Sequence, residues 1–192
     1  MALSICEQLD NFVSSYVENA NEGVLSIPYD KEWPSLCYNS EGEQERQGQQ
    51  GLQGKIVPWQ PVKQTQPLSF DNVGSALELT LNSDYCTYFT RYFSNNLIAT
   101  APQGECELLQ VWNEEDFERL QQNLIGHLLM KQRLEQAPTL FFGLTDEEDF
   151  ILTVINKTGE VALEQVGMEP KEILAPSLAA FLSTLKPSSA SR

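Results

Sequence analysis

The sequence predicts an α+β domain, a largely antiparallel β-sheet with helices packed on it, forming a single unit over residues 1–192. Three observations carry that expectation. Two stretches, 97–111 and 150–166, read as strand, tight turn, strand, the pattern of an antiparallel hairpin. A long amphipathic helix separates them and shorter helical patterns flank them, an order that packs helices on a sheet rather than alternating βαβ units. No internal repeat occurs. With 41 % apolar residues among 192, the chain can bury one core and is short for two.

The first element is a helix. Ser4 and Glu7 have capping-box spacing, Leu9, Phe12, Val13 and Tyr16 recur at helical period, and Asn21-Glu22-Gly23 ends it. From Ile27 to Phe70 the text is irregular, with prolines at 28, 34, 58, 61 and 67. Its run from Glu41 to Gly54 has one apolar residue and is expected to be a mobile Gln/Gly/Glu-rich surface loop outside the core. Lys55 to Val62 reads as an edge strand limited by its prolines. Asn72 to Leu81 reads as a short helix, and a second starts at Ser83 or Asp84, carrying Tyr85, Tyr88, Phe89 and Tyr92.

The period then changes. Leu97 to Ala101 and Cys106 to Val111 are strands joined by a turn at Pro102-Gln103-Gly104. The long helix covers about Glu114 to Leu134, with Phe117, Leu120, Leu124, Ile125, Leu128 and Leu129 on one face and Pro138 beyond its end. Thr139 to Leu144 and Phe150 to Ile155 are apolar strands. Asn156-Lys157-Thr158-Gly159 turns into a further strand over Glu160 to Val166. Pro176 to Leu185 is a last helix, and Ser188 to Arg192 is a frayed tail.

Charge is the outlier: 27 acidic residues face 12 basic ones, a formal charge of −15. A field of that sign repels nucleic acid and anionic headgroups and favours basic partners, so neither nucleic-acid binding nor direct lipid insertion is expected. No apolar run approaches the roughly 18 residues of a membrane span. The N-terminus lacks the basic and apolar regions of a signal peptide, so Asn156-Lys157-Thr158 is a chance match to a glycosylation acceptor. Cys6, Cys37, Cys86 and Cys106 form no CxxC pair and read as reduced thiols of a cytosolic protein.

No catalytic motif stands out. The only histidine, His127, lies on the flank of the long helix, where packing or hydrogen bonding suits it better than general-base chemistry. No nucleophile elbow, phosphate loop or zinc spacing is present, and neither a metal nor a cofactor is expected. Asp146-Glu147-Glu148-Asp149 lacks the alternating ligands of a calcium loop, with Ile151 where glycine should stand.

Two acidic clusters remain: Glu114-Glu115-Asp116 after Trp112, and Asp146 to Asp149 between two strands. The first would complement a helix dipole and the second would simply be solvated. If the sheet brings both to one rim, they form a continuous acidic surface for a basic partner. Trp112, or the aromatics from Tyr85 to Phe93, would be its apolar anchor or part of the core.

Val111-Trp112-Asn113-Glu114-Glu115-Asp116-Phe117, Gln122-Asn123-Leu124-Ile125-Gly126-His127-Leu128, Pro138-Thr139-Leu140-Phe141, Asn156-Lys157-Thr158-Gly159 and Leu178-Ala179-Ala180-Phe181-Leu182 follow in an order and spacing that resemble the Syd family, within the SUKH superfamily, from about Asp71 to Pro187. The resemblance implies a non-catalytic α+β domain that attaches to the cytosolic side of the inner membrane. It would do so by binding the translocon subunit SecY through an electronegative concave surface, sequestering or proofreading poorly assembled SecY. Trp112, Glu114, Glu115, Asp116, Asp146, Glu147, Glu148 and Asp149 are the candidate partner-binding residues. A superfamily alternative is an immunity protein that neutralises a basic toxin.

Overall fold

A computed structural model describes residues 4–20, 25–39, 51–66 and 68–188. In chain order its elements are α1 (Ile5–Glu18), β1 (Leu25–Pro28), β2 (Ile56–Trp59), β3 (Val62–Lys63), α2 (Asp71–Leu77), α3 (Ser83–Arg91), β4 (Tyr92–Phe93), β5 (Leu97–Ala101) and β6 (Gly104–Leu108). There follow α4 (Glu114–Arg133), β7 (Thr139–Thr145), β8 (Phe150–Ile155), β9 (Val161–Gln165), β10 (Pro170–Ala175), α5 (Leu178–Thr184) and β11 (Lys186–Pro187).

The expected α+β architecture is present. Its centre is a seven-stranded sheet in the order β10-β9-β8-β7-β6-β5-β11, antiparallel at every pairing. Two small two-stranded sheets, β1-β2 and β3-β4, sit outside it. The main core runs from Ile5 to Leu185, and Tyr29, Leu52 and Val57 form a second, small cluster. On one sheet face Phe142 meets Tyr88 of α3 and Phe181 of α5 edge to face, a favoured aromatic geometry. The other face receives α4, whose Lys131 reaches Glu164 of β9.

Local signals explain the helix ends. Ser4 and Glu7 close the expected capping box on α1. Asn82 and Asn113 cap α3 and α4 with their side-chain oxygens. The helix expected to reach Leu81 stops at Leu77, because Glu78 turns left-handed at φ 50° and Leu79 N–H bonds back to Gly74. Residues 79–82 are then tied to the sheet by Asn156, whose Oδ1 accepts from Asn82 N–H and whose Nδ2 donates to the Thr80 carbonyl. Leu79, Leu81, Pro138 and Lys157 line the resulting cleft of about 620 Å³.

Of the two roles open to the aromatics from Tyr85 to Phe93, the core is the one they fill: Tyr85, Tyr88, Phe89, Tyr92 and Phe93 are all buried. Other expectations are corrected. Leu52, the one apolar residue of the Gln/Gly-rich run, is fully buried against Tyr29 and Val57, in a turn where Gly54 adopts φ 76°. The rest of that run, 41–50, lies outside the described residues. Ser188 is held by its N–H on the Ile98 carbonyl; the remainder of the expected tail, 189–192, is outside the described residues. Strands β1, β4, β10 and β11 add to the expected set. They are short or proline-bounded, and only pairing to a neighbour identifies them.

Candidate partner-binding surface

Strand β6 supplies the floor. In Gly104-Glu105-Cys106-Glu107-Leu108, Cys106 and Leu108 are buried while Glu105 is exposed and Glu107 half-buried, the alternation of a strand covered on one face. The register places Ile98, Glu107, Leu144, Ile151 and Glu164 directly opposite one another in a row across β5 to β9. All five side chains therefore project from the face that receives α4. Under the helix Glu164 is fully buried; two strands away, on β7, Leu144 is 40 % exposed, and Glu105 on β6 and Thr100 on β5, three and four strands away, are exposed. Thus α4 covers one half of this face and leaves the other open.

The covered half holds a polar cluster. Lys131 Nζ donates to Glu164 Oε1 at 3.0 Å and to the Met168 carbonyl at 2.9 Å. Thr139 and Thr153 donate to the two oxygens of the same carboxylate. His127 Nε2 lies 3.0 Å from Thr139 Oγ1, its ring edge-on to Phe141. Burial pushes the His127 pKa below its ordinary value; the Glu164 charge opposes that shift and the Lys131 charge adds to it. His127 is thus a packed hydrogen-bonding residue, as its helix position suggested.

At the end where β6 leaves toward α4, the predicted site residues divide. Trp112 is buried: its indole N–H donates to the Trp33 carbonyl, and its ring packs against Tyr38 and Trp59. The expectation that it is an exposed anchor is corrected, since the 33–38 segment folds over it and Ser35 Oγ holds its carbonyl. Asp116 is engaged locally, accepting from Trp112 N–H and from Arg119. Glu114 and Glu115 are exposed in the first turn of α4.

Asp146, Glu147, Glu148 and Asp149 occupy the β7–β8 turn, all exposed. Its backbone is fixed by Thr145, by Phe150 N–H on the Glu147 carbonyl and by Val166 N–H on the Asp149 carbonyl. Thr145 pairs with Cys106, so this turn sits at the start of β6, whereas α4 follows its end. The two acidic clusters therefore do not meet at one rim. They stand at opposite ends of the β6–β7 ladder, with Glu105 and Glu107 between them. Those two glutamates are not singled out in the sequence reading, although the alternation in β6 carries them. Among the described residues, Glu105, Glu107, Glu114, Glu115 and Asp146 to Asp149 make no salt bridge. Glu107 is oriented by Asn96 Nδ2 at 2.7 Å.

Nucleophilic chemistry finds little support. The four cysteines are free thiols, and burial raises Cys37, Cys86 and Cys106 to about 11, far from the thiolate form at neutral pH. Among the described residues no His, Cys, Asp and Glu side chains converge as a metal site, and no helix is long and apolar enough to cross a membrane.

Comparison with known proteins agrees with the motifs. The profile of the family described as Syd protein (SUKH-2) matches residues 6–187. A protein named Protein Syd from Alteromonas mediterranea is 65 % identical over 187 residues, covering 97 % of this chain and 98 % of that protein. Protein Syd of Pseudoalteromonas atlantica is 46 % identical, with 97 % and 98 % covered. That of Colwellia psychrerythraea is 42 % identical, with 95 % and 92 % covered. Matched along almost its whole length by both profile and relatives, the chain belongs to the Syd family.

Proposed function

We propose that this chain is a non-catalytic binding protein that docks on the basic cytosolic loops of the translocon subunit SecY from the cytosolic side of the inner membrane, sequestering or proofreading poorly assembled SecY. The observation that carries the reading is electrostatic. The chain has a formal charge of −15, and the carboxylates bordering the open sheet face lack cationic partners among the described residues. Cytosolic loops of membrane proteins are enriched in Lys and Arg. An acidic domain attracts them and is repelled by the anionic leaflet, so attachment needs a protein receptor. Each exposed ion pair contributes only about 0–1 kcal/mol, so several must act together.

Replacing Glu114, Glu115, Asp146 and Glu148 together by Lys should leave the fold intact, since all four are exposed, and should weaken co-sedimentation with SecY-containing membranes by about tenfold or more. Unchanged retention would remove these residues from the site.

A further inference from the structure

One residue on the open face stands against the rule that made the rest. Simple alternation along β7 sends Leu140, Phe142 and Leu144 to one side and Thr139, Phe141, Gly143 and Thr145 to the other. On that pattern Leu144 belongs in the core. Instead the register slips between Phe141 and Gly143: Phe141 faces Thr153 and Gly143 faces Leu152, with Phe142 as the extra residue. This is a β-bulge, which re-aims the side chains beyond it. Phe142 stays inside against Tyr88 and Phe181, while Leu144 is turned onto the opposite face beside Glu107 and Ile151, 40 % exposed.

The bulge is held from several sides. Tyr85 Oη donates to the Phe141 carbonyl at 2.9 Å, and Leu109 N–H donates to the Phe142 carbonyl at 2.9 Å. Gly143 is needed for close approach: a Cβ there would lie 2.9 Å from Leu152 Cδ1 and 3.1 Å from the Glu107 carbonyl. A leucine removed from the core by a supported bulge now fills the middle of a row reading Ile98, Glu107, Leu144, Ile151, apolar positions interleaved with an oriented carboxylate.

We infer that this open half-face binds a protein segment that is both cationic and apolar, seating an aliphatic side chain on Leu144 and Ile151 while a neighbouring Lys or Arg meets Glu107 and Glu105. The inference rests on the docking reading above and narrows its partner. Charge alone is insufficient, and the bound segment must present an apolar residue beside its cations. Charge complementarity selects this occupant, because a second copy of the chain or an anionic membrane would bring like charge onto Glu105, Glu107 and the 146–149 turn.

The test uses the full chain and two synthetic peptides of equal length and charge, one interleaving lysine with leucine, the other lysine with glycine and serine. In titration calorimetry the leucine peptide should bind about tenfold more tightly. Leu144→Ser should erase that advantage while leaving the glycine–serine peptide's affinity unchanged, and Glu107→Gln should weaken both. Leu144→Thr, a better strand former, serves if the serine variant unfolds. Equal affinity of the two peptides for the unaltered chain, or an advantage that survives loss of Leu144, overturns the inference and leaves the docking reading standing. Failure of both peptides to bind overturns both. A dimer in sedimentation velocity, or retention on anionic vesicles, that depends on Leu144 assigns the face to another occupant and also overturns it.

Discussion

His127 shows how far a single residue's role follows from its neighbours. The Thr139 hydroxyl has one proton and gives it to Glu164 at 3.1 Å, so the 3.0 Å contact to His127 is donated by Nε2–H, leaving Nδ1 unprotonated. The charged groups facing the ring are Glu164, which favours a second proton, and Lys131, which opposes it; burial dominates and depresses the pKa. The unfolded chain therefore binds a proton near pH 6.5 that the folded chain does not. Stability should be intact above that pH and should fall as pH drops through the window between 6.5 and the depressed folded value, by at most about 1.4 kcal/mol per pH unit. His127 is the only histidine, so the effect can be isolated. Urea unfolding between pH 7.5 and 5.5 should lose this slope in His127→Gln; an unaltered slope would show that the imidazole titrates as freely folded as unfolded.

At the level of the element, α4 is fixed across the sheet by a buried charge pair as well as by its apolar stripe. Lys131 and Glu164 are both fully buried, and no other cation bonds that carboxylate among the described residues. Removing one partner of such a pair strands the other in low dielectric. Lys131→Met should accordingly cost about 3–5 kcal/mol in urea unfolding. Adding Glu164→Gln, which cancels the orphaned charge, keeps an acceptor oxygen for one of the two threonines and turns an amide N–H to the hydroxyl oxygen of the other, should recover most of that loss. A double variant no more stable than the single would mean the lysine acts by packing. The pair was partly legible beforehand: Lys131 stands three residues after Leu128 and seven after Leu124, on the apolar stripe, and Glu164 shares a strand face with Ala162. The long helix and strands β5 to β9 were readable because period and alternation repeat over several residues. Strands β10 and β11 were not, because Pro170-Lys171-Glu172 and Lys186-Pro187 carry no alternation and become strands through their neighbours. Of the candidate site, the acidic clusters at the start of α4 and in the β7–β8 turn are visible in the sequence as runs of like charge. The exposure of Leu144 is not legible, because a bulge inverts the parity on which such reading depends, nor is the burial of Trp112, whose cover comes from residues 33–38, far away in sequence.

For the whole molecule, one set of charges should act in opposite directions on folding and on binding. A net charge of −15 on 192 residues repels itself in the compact state, and among the described residues few carboxylates are neutralised locally, chiefly Asp10, held by Arg91, Lys63 and Tyr92, and Glu164, held by Lys131. Salt shortens the reach of that repulsion, from about 10 Å at 0.1 M to about 3 Å at 1 M. The thermal midpoint should therefore rise with added sodium chloride, whereas affinity for a cationic partner should fall, because the same screening weakens the attraction. Replacing Glu114, Glu115, Asp146 and Glu148 by Lys removes four negative charges and adds four positive ones, taking the net charge from −15 to −7, and should flatten both trends together. Thermal melts and peptide titrations over the same salt series separate the possibilities. If binding is indifferent to salt while the melting temperature responds, the carboxylates govern solubility and self-repulsion only, and recognition must reside in apolar contacts such as Leu144. If both respond and the charge-reversed chain responds in neither, the open acidic face is where the field of the molecule meets its partner.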